Sequence, residues 1–245
     1  MLAATLALSA LTCQAGPAVV VTGGAEQPHL AADADGTYYC VFIRGGNIEL
    51  AASNDRGKTF APPVTAIDAR GKAKGGMQRG PRVAVDGKKI VYVTAPLCFD
   101  EAEFQKQYPT SDLYLAVSAD GGKTFSKPVM VNDVPKKAPE ALHWLAAAPT
   151  GDVFVAWLDL RQRSKGQDLA WTRITEQGKK VGKNNLLPGP LCECCAPGLA
   201  VDGKGNPIAV YREGGKQTNR QIFVAMGPGF SRVSRINQGE SKVDG

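Results

Sequence analysis

With 245 residues, 43% of them hydrophobic and 21% charged, the chain carries enough apolar material for one sizeable core, which excludes a disordered polymer. Its formal charge of +6 comes from basic residues scattered singly or in pairs, such as Lys88-Lys89, Lys136-Lys137 and Lys179-Lys180, and reads as a solvated surface that would at most favour an anionic ligand. No stretch interleaves basic and aromatic side chains, so a nucleic-acid platform is not expected.

Residues 1–18 hold an apolar run over 2–11, then small residues and plausible cleavage points after Ala15 or Ala18. That is the pattern of a signal-peptide core and cleavage region, too short to span a bilayer. No basic residue precedes the run, so a start further upstream is expected. Cys13 matches a lipoprotein signal only poorly, and no other segment approaches 18 consecutive apolar residues. The expectation is a secreted or periplasmic protein, with cell-envelope association as an alternative, and no transmembrane segment. Export would place Cys40, Cys98, Cys192, Cys194 and Cys195 where disulfides form. Five is odd, so one must stay free, bind something or pair outside the chain.

From residue 19 to 245 the chain reads as one domain of four similar units, near 28–67, 81–132, 143–187 and 195–237. Each opens with a small apolar strand and a turn, at 30–36, 83–87, 145–151 and 199–205. A β-branched and aromatic run follows at 38–43, 90–94, 153–158 and 208–211. Third strands are expected at 48–52, 113–117, 169–173 and 222–226, and fourth strands at 64–67, 129–131, 185–187 and 232–236. The one helical stretch, 100–107, is an insertion inside the second unit. Between strands three and four lies the octapeptide SNDRGKTF (53–60), which returns as SADGGKTF (118–125) with six of eight positions identical, as a degenerate 175–180, and nearly erased at 227–231. Four short strands per repeat predict an all-β propeller of four-stranded antiparallel blades, with a β-sandwich as the alternative.

The frame Ser-x-Asp-x-Gly-x-Thr-Phe resembles the Asp box, or bacterial neuraminidase repeat, of the sialidase-like six-bladed propellers, and the likeness runs from about residue 26 onward. In the first copy the motif residues are Ser53, Asp55, Gly57, Thr59 and Phe60; in the second they are Ser118, Asp120, Gly122, Thr124 and Phe125. The carboxylates would accept backbone N–H bonds across the hairpin, the glycines would take the left-handed position, and Thr-Phe would begin the outer strand. This is a folding device on the rim. Six blades against four visible units imply a chain cut short after Lys242-Val243-Asp244-Gly245, with C-terminal blades missing; a closed four-bladed ring is the lesser alternative.

The same resemblance implies where chemistry would sit. Retaining sialidases fork arginines onto a substrate carboxylate and use an Asp acid/base with a Glu-activated Tyr nucleophile. No Arg-Ile-Pro occurs near the N-terminus, and the blade expected to supply the tyrosine is absent. Glu193, just before an inner strand, and Arg212, at the end of the next, resemble a pair of that site; Asp159 and Arg161 are placed similarly in the third unit. Arg44 and Tyr211 are candidate ligand-binding residues. Cys192, Cys194 and Cys195 suit either a disulfide arrangement, which the residues favour, or a soft metal, although the spacing matches no zinc motif. His29 and His143, beside two inner strands, are expected to make structural hydrogen bonds and not to bind metal. The functions implied are glycan or other anionic-ligand binding at the axial face, with exo-α-sialidase hydrolysis and a non-catalytic scaffold for a protein partner as alternatives. No cofactor is implied.

Overall fold

The computed structural model describes residues 18–76, 78–107, 109–139, 142–162, 166–214 and 221–237. The signal-like run, Cys13 and the residues at 242–245 lie outside these. Each unit is an antiparallel meander. Blade 1 holds β1 (Ala25–Ala32), β2 (Tyr38–Arg44), β3 (Asn47–Ser53) and β4 (Val64–Ile67). Blade 2 holds β5 (Arg82–Val85), β6 (Val91–Leu97), β7 (Thr110–Ser118) and β8 (Val129–Met130), with β9 (Ala138–Pro139) also pairing β7. Its helix α1 (Glu101–Phe104) starts at Asp100, whose side chain accepts from the Glu103 N–H.

Blade 3 holds β10 (His143–Ala147), β11 (Val153–Asp159) and β12 (Gln167–Thr175), and its fourth strand is split into β13 (Lys180–Val181) and β14 (Asn185–Leu191), both paired with β12. Blade 4 holds β15 (Gly198–Val201), β16 (Pro207–Arg212), β17 (Ile222–Met226) and β18 (Arg232–Arg235). The inner strands stand side by side in the order β1, β5, β10, β15.

Blades pack face to face, and this explains the sequence of their second strands. Tyr39, Val41 and Ile43 of β2 meet Val83, Val91 and Val93 of blade 2, while Tyr92, Leu113 and Leu115 on the other side of blade 2 meet Leu145, Val155 and Trp157 of blade 3. Blade 3 in turn gives Phe154, Ala156 and Leu158 to Leu199, Ala209 and Ala225 of blade 4. Both faces of β11 are therefore enclosed, so its seven residues run apolar almost throughout instead of alternating.

The turn between strands one and two is built alike in three blades. Asp33 accepts from the N–H groups of Asp35 and Thr37, Asp86 from those of Lys88 and Ile90, and Asp202 from those of Lys204 and Asn206. The octapeptide turns are built equally alike. Asp55 Oδ1 accepts from Thr59 N–H at 2.9 Å and Oδ2 from its hydroxyl at 2.6 Å, while Ser53 Oγ accepts from Gly57 N–H at 2.8 Å; Asp120, Thr124, Ser118 and Gly122 repeat the set at the same distances. The Thr59 hydroxyl and N–H hold the Asp55 carboxyl down at about 2. Gly57 and Gly122 sit at φ +82° and +85°, as their spacing predicts. One expectation is corrected: Thr59-Phe60 and Thr124-Phe125 do not start the outer strands, which begin at Val64 and Val129, because the rings first fold back onto the blade.

In a meander the ends of second and fourth strands and the starts of first and third strands share one end of the sheet. The octapeptide turns lie at the opposite end. Among the described residues, the end left for a site carries 45–46, 68–76, 78–81, 98–107, 132–138, 160–162, 192–197 and 213–214.

Candidate functional site at the inner-strand face

At the centre of this face, three inner strands bring together His29, Arg82 and Trp144. The Arg82 guanidinium lies 4.9 Å from the Trp144 ring and donates to the carbonyls of Gln78, Gly80 and Pro81, while the rings of His29 and Trp144 meet edge to face at 5.4 Å. Burial lowers the Arg82 pKa, and Arg82 Nε has no hydrogen-bond partner. His29 Nδ1 accepts from Val83 N–H at 3.2 Å, so this nitrogen carries no proton; burial first and the Arg82 charge second hold its pKa down to about 4. His143 Nε2 lies 3.0 Å from Thr94 Oγ1. Both histidines thus tie a neighbouring blade to blade 2, the structural role their positions suggest. Sequence reasoning passed over Arg82 and Trp144 because nothing local marks them. Gln78 Oε1 accepts from Ala196 N–H at 3.1 Å, joining the connectors that enter blades 2 and 4.

Three arginines lie at or just beyond second-strand ends. Arg44 donates Nε to Glu49 at 2.7 Å and Nη1 to Thr22 at 3.1 Å. Arg161 grips Asp159 with Nε at 2.8 Å and Nη2 at 3.0 Å, and reaches Asp133 at 2.9 Å. Asp159 is 0% exposed and also accepts from Trp157 Nε1 and Arg161 N–H. A carboxylate so saturated presents no open oxygen to a ligand, so Asp159 and Arg161 are placed as an anchor for the loop that follows β11. Asp168 stands directly opposite Asp159 in the β11–β12 register; its Oδ1 accepts from Gly189 N–H at 2.7 Å and its buried Oδ2 accepts no hydrogen bond. The pairing depends on strand register, which is why the sequence did not single it out.

The expected partnership in blade 4 is only partly formed. Arg212 Nη1 donates to Cys195 Sγ at 3.5 Å, a bond that raises the arginine's pKa, and no ion pair among the described residues joins it to Glu193. Glu193 is exposed and lines a shallow cavity of about 350 Å³ with Gly166, Pro190, Cys192 and Cys194. Tyr211 turns away from Arg212, since neighbours on a strand point to opposite faces; it stacks on Phe223 at 5.9 Å, and burial, with the Glu213 charge, raises its pKa. Against the preference for disulfides, no disulfide joins any two of the described cysteines. Instead the sulfurs of Cys192, Cys194 and Cys195 lie within 4.8 Å of one another. The contact with Cys192, and then burial, raises the Cys194 pKa.

A second cavity, of about 240 Å³, opens between the connector 68–81 and the insertion 98–109. Lys72, Lys74 and Arg79 line it with Pro96, Phe104 and Pro109. Lys72 pairs with Glu101, and Lys74 donates to the Phe104 carbonyl at 2.9 Å; the two ammonium groups sit 4.5 and 4.8 Å from the Phe104 ring. Three basic side chains therefore line the cavity, with Glu101 paired to Lys72 and the Glu26 carboxylate beside Gly75. None of its residues stands out in the sequence, because the insertion had no counterpart among the repeats.

No family profile matches the chain, and no curated protein sequence does. Among solved structures, an α-L-arabinanase of Penicillium chrysogenum complexed with arabinobiose superposes with a TM-score of 0.60 at 14% identity, over 87% of this chain and 67% of that one. An α-L-arabinofuranosidase of Fusarium graminearum with arabinobiose gives 0.56 at 16% identity over 86% and 66%, and a thermostable family-43 glycoside hydrolase gives 0.53 at 12% over 88% and 73%. The chain has a β-propeller fold. Its four blades span about two thirds of the length of the arabinanase and the arabinofuranosidase. At these identities the likeness speaks for the fold alone.

Proposed function

We propose that this propeller binds an acidic saccharide, in the cavity between the 68–81 connector and the 98–109 insertion. The observation that carries the reading is the convergence of three basic side chains there, Lys72, Lys74 and Arg79, on walls otherwise furnished by Pro96, Phe104 and Pro109. Apolar walls with a few converging polar groups are the usual make-up of a small-ligand site, and at about 240 Å³ the cavity lies just below the usual size range, so it suits a short saccharide. Sugar-bound propellers among the structural neighbours support the ligand class. Calorimetric titration with uronate and sialate oligosaccharides, alongside neutral arabino- and gluco-oligosaccharides, tests it. Acidic sugars should bind, Lys74→Ala with Arg79→Ala should weaken them at least tenfold, and equal binding of the neutral series would refute the charge argument.

A glycoside hydrolase of exo-α-sialidase type is the second reading, favoured by the two octapeptide turns and their likeness to the neuraminidase repeat. In that reading Glu193 and Arg212 act at the blade 4 end of the face, with Arg44 as a further ligand contact. Turnover of a fluorogenic sialoside, abolished by Arg212→Ala, would establish it and displace binding without hydrolysis. Export, read from the apolar run at 2–11, belongs to the same proposal and is checked by locating the protein after cell fractionation.

A further inference from the structure

We propose that Cys192, Cys194 and Cys195 form a three-coordinate thiolate site for a monovalent soft cation, Cu(I). The three sulfurs come from one turn: Cys195 N–H bonds back to the Cys192 carbonyl at 3.4 Å, and Cys192 N–H bonds to the Arg212 carbonyl at 2.9 Å, fixing the turn to the end of β16. Their Sγ atoms converge within 4.8 Å, with Cys192 and Cys194 at 3.4 Å. Three thiolates around an ion at about 2.3 Å lie roughly 4 Å apart, so the cluster needs little rearrangement to close on a metal.

The donor set selects the ion. Thiolates alone are soft ligands that favour Cu(I), whereas a structural zinc site takes four ligands, and the cluster offers three sulfurs and no histidine. Binding replaces three thiol protons by one Cu(I), releasing the protons to solvent and leaving a net charge of −2 on the cluster. Arg212 Nη1 stands 3.5 Å from Cys195 Sγ and offsets part of it. Burial is graded in a useful way: Cys192 is only 4% exposed and Cys194 is open, so the ion has a floor and an entrance. Glu193, at the mouth, is exposed to solvent.

The test uses the whole chain, reduced and kept anaerobic, titrated with Cu(I) against a chromophoric Cu(I) chelator. One equivalent should bind, with a thiolate-to-copper charge-transfer band and three sulfur scatterers at about 2.3 Å by X-ray absorption. Cys194→Ser, at an exposed position that the core does not need, should abolish uptake; Cys98→Ala, at a thiol in the other cavity, should leave it intact. Arg212→Ala should weaken Cu(I) by about tenfold to a hundredfold, as loss of a supporting outer contact does. Undiminished uptake in Cys194→Ser would overturn the assignment. So would tighter binding of Zn(II) than Cu(I), or a Cys192–Cys194 disulfide in the purified protein that persists under mild reduction and excludes metal.

Discussion

Replacing Asp86 by alanine should be among the most damaging single changes outside the apolar core. Asp86 is 4% exposed; its Oδ1 accepts from Lys88 N–H at 2.8 Å and Ile90 N–H at 3.0 Å, and its Oδ2 from the Tyr92 hydroxyl at 3.0 Å. The two backbone bonds are worth about 1 kcal/mol each, and a buried Tyr92 hydroxyl left without its acceptor adds about 1–3 kcal/mol. The loss should therefore be about 3–5 kcal/mol, which for a chain of this length lowers Tm by roughly 6–20 °C. Asp202 makes the same two backbone bonds, to Lys204 and Asn206, in a half-buried turn where its Oδ2 accepts only from the Asn206 amide, so Asp202→Ala is the control without a buried tyrosine. Thermal and urea unfolding followed by circular dichroism should rank wild type, Asp202→Ala and Asp86→Ala in falling order, with Asp86→Asn recovering much of the loss through its remaining acceptor oxygen. Equal shifts for the two alanine variants would refute the reasoning, because they would mean that the buried tyrosine contributes nothing.

Three further outcomes follow from the same contacts. Arg161→Ala strands the enclosed Asp159 carboxylate and should cost about 3–5 kcal/mol in urea unfolding, with Arg161→Lys a poor rescue because an ammonium cannot reproduce the two-pronged grip. His29, held at about 4 against an ordinary 6.5, binds its proton more readily in the unfolded chain; the stability it contributes is complete above pH 6.5 and is lost as pH falls toward 4, and His29→Gln should flatten that part of a pH series of unfolding midpoints. Gly46→Ala should destabilise by at least about 1 kcal/mol, since φ is +73° and a Cβ would stand 2.6 Å from Gly71 Cα; calorimetric Tm checks it.

Much of the fold was legible because its information is local. Asp55 reaches Thr59 and Asp202 reaches Asn206, four residues on, so each turn announces itself within a few letters, and Val153 to Asp159 shows by its unbroken apolar run that both faces are covered. Even the decayed octapeptides keep their pair of left-handed residues: Gln177 and Gly178 hold φ at +57° and +87°, and Gly229 and Phe230 at +59° and +55°, as Arg56 and Gly57 do at +60° and +82°. The site was less legible. Arg161 and Asp159 looked like exposed chemistry and are instead locked together, and Tyr211 and Arg212, adjacent in the chain, serve opposite faces of blade 4.

The sequence by itself determined most of the strands, their turns and the order of the blades. Strand alternation and hydrogen-bonded turns are properties of neighbouring residues, and repetition made them unmistakable. Only the tertiary structure decided which side chains meet there: Gln78 with Ala196, Arg82 between His29 and Trp144, Lys72 and Lys74 around Phe104, and Arg212 against Cys195. Those meetings depend on how one blade is rotated against the next and on where an insertion folds, and no short-range pattern encodes either.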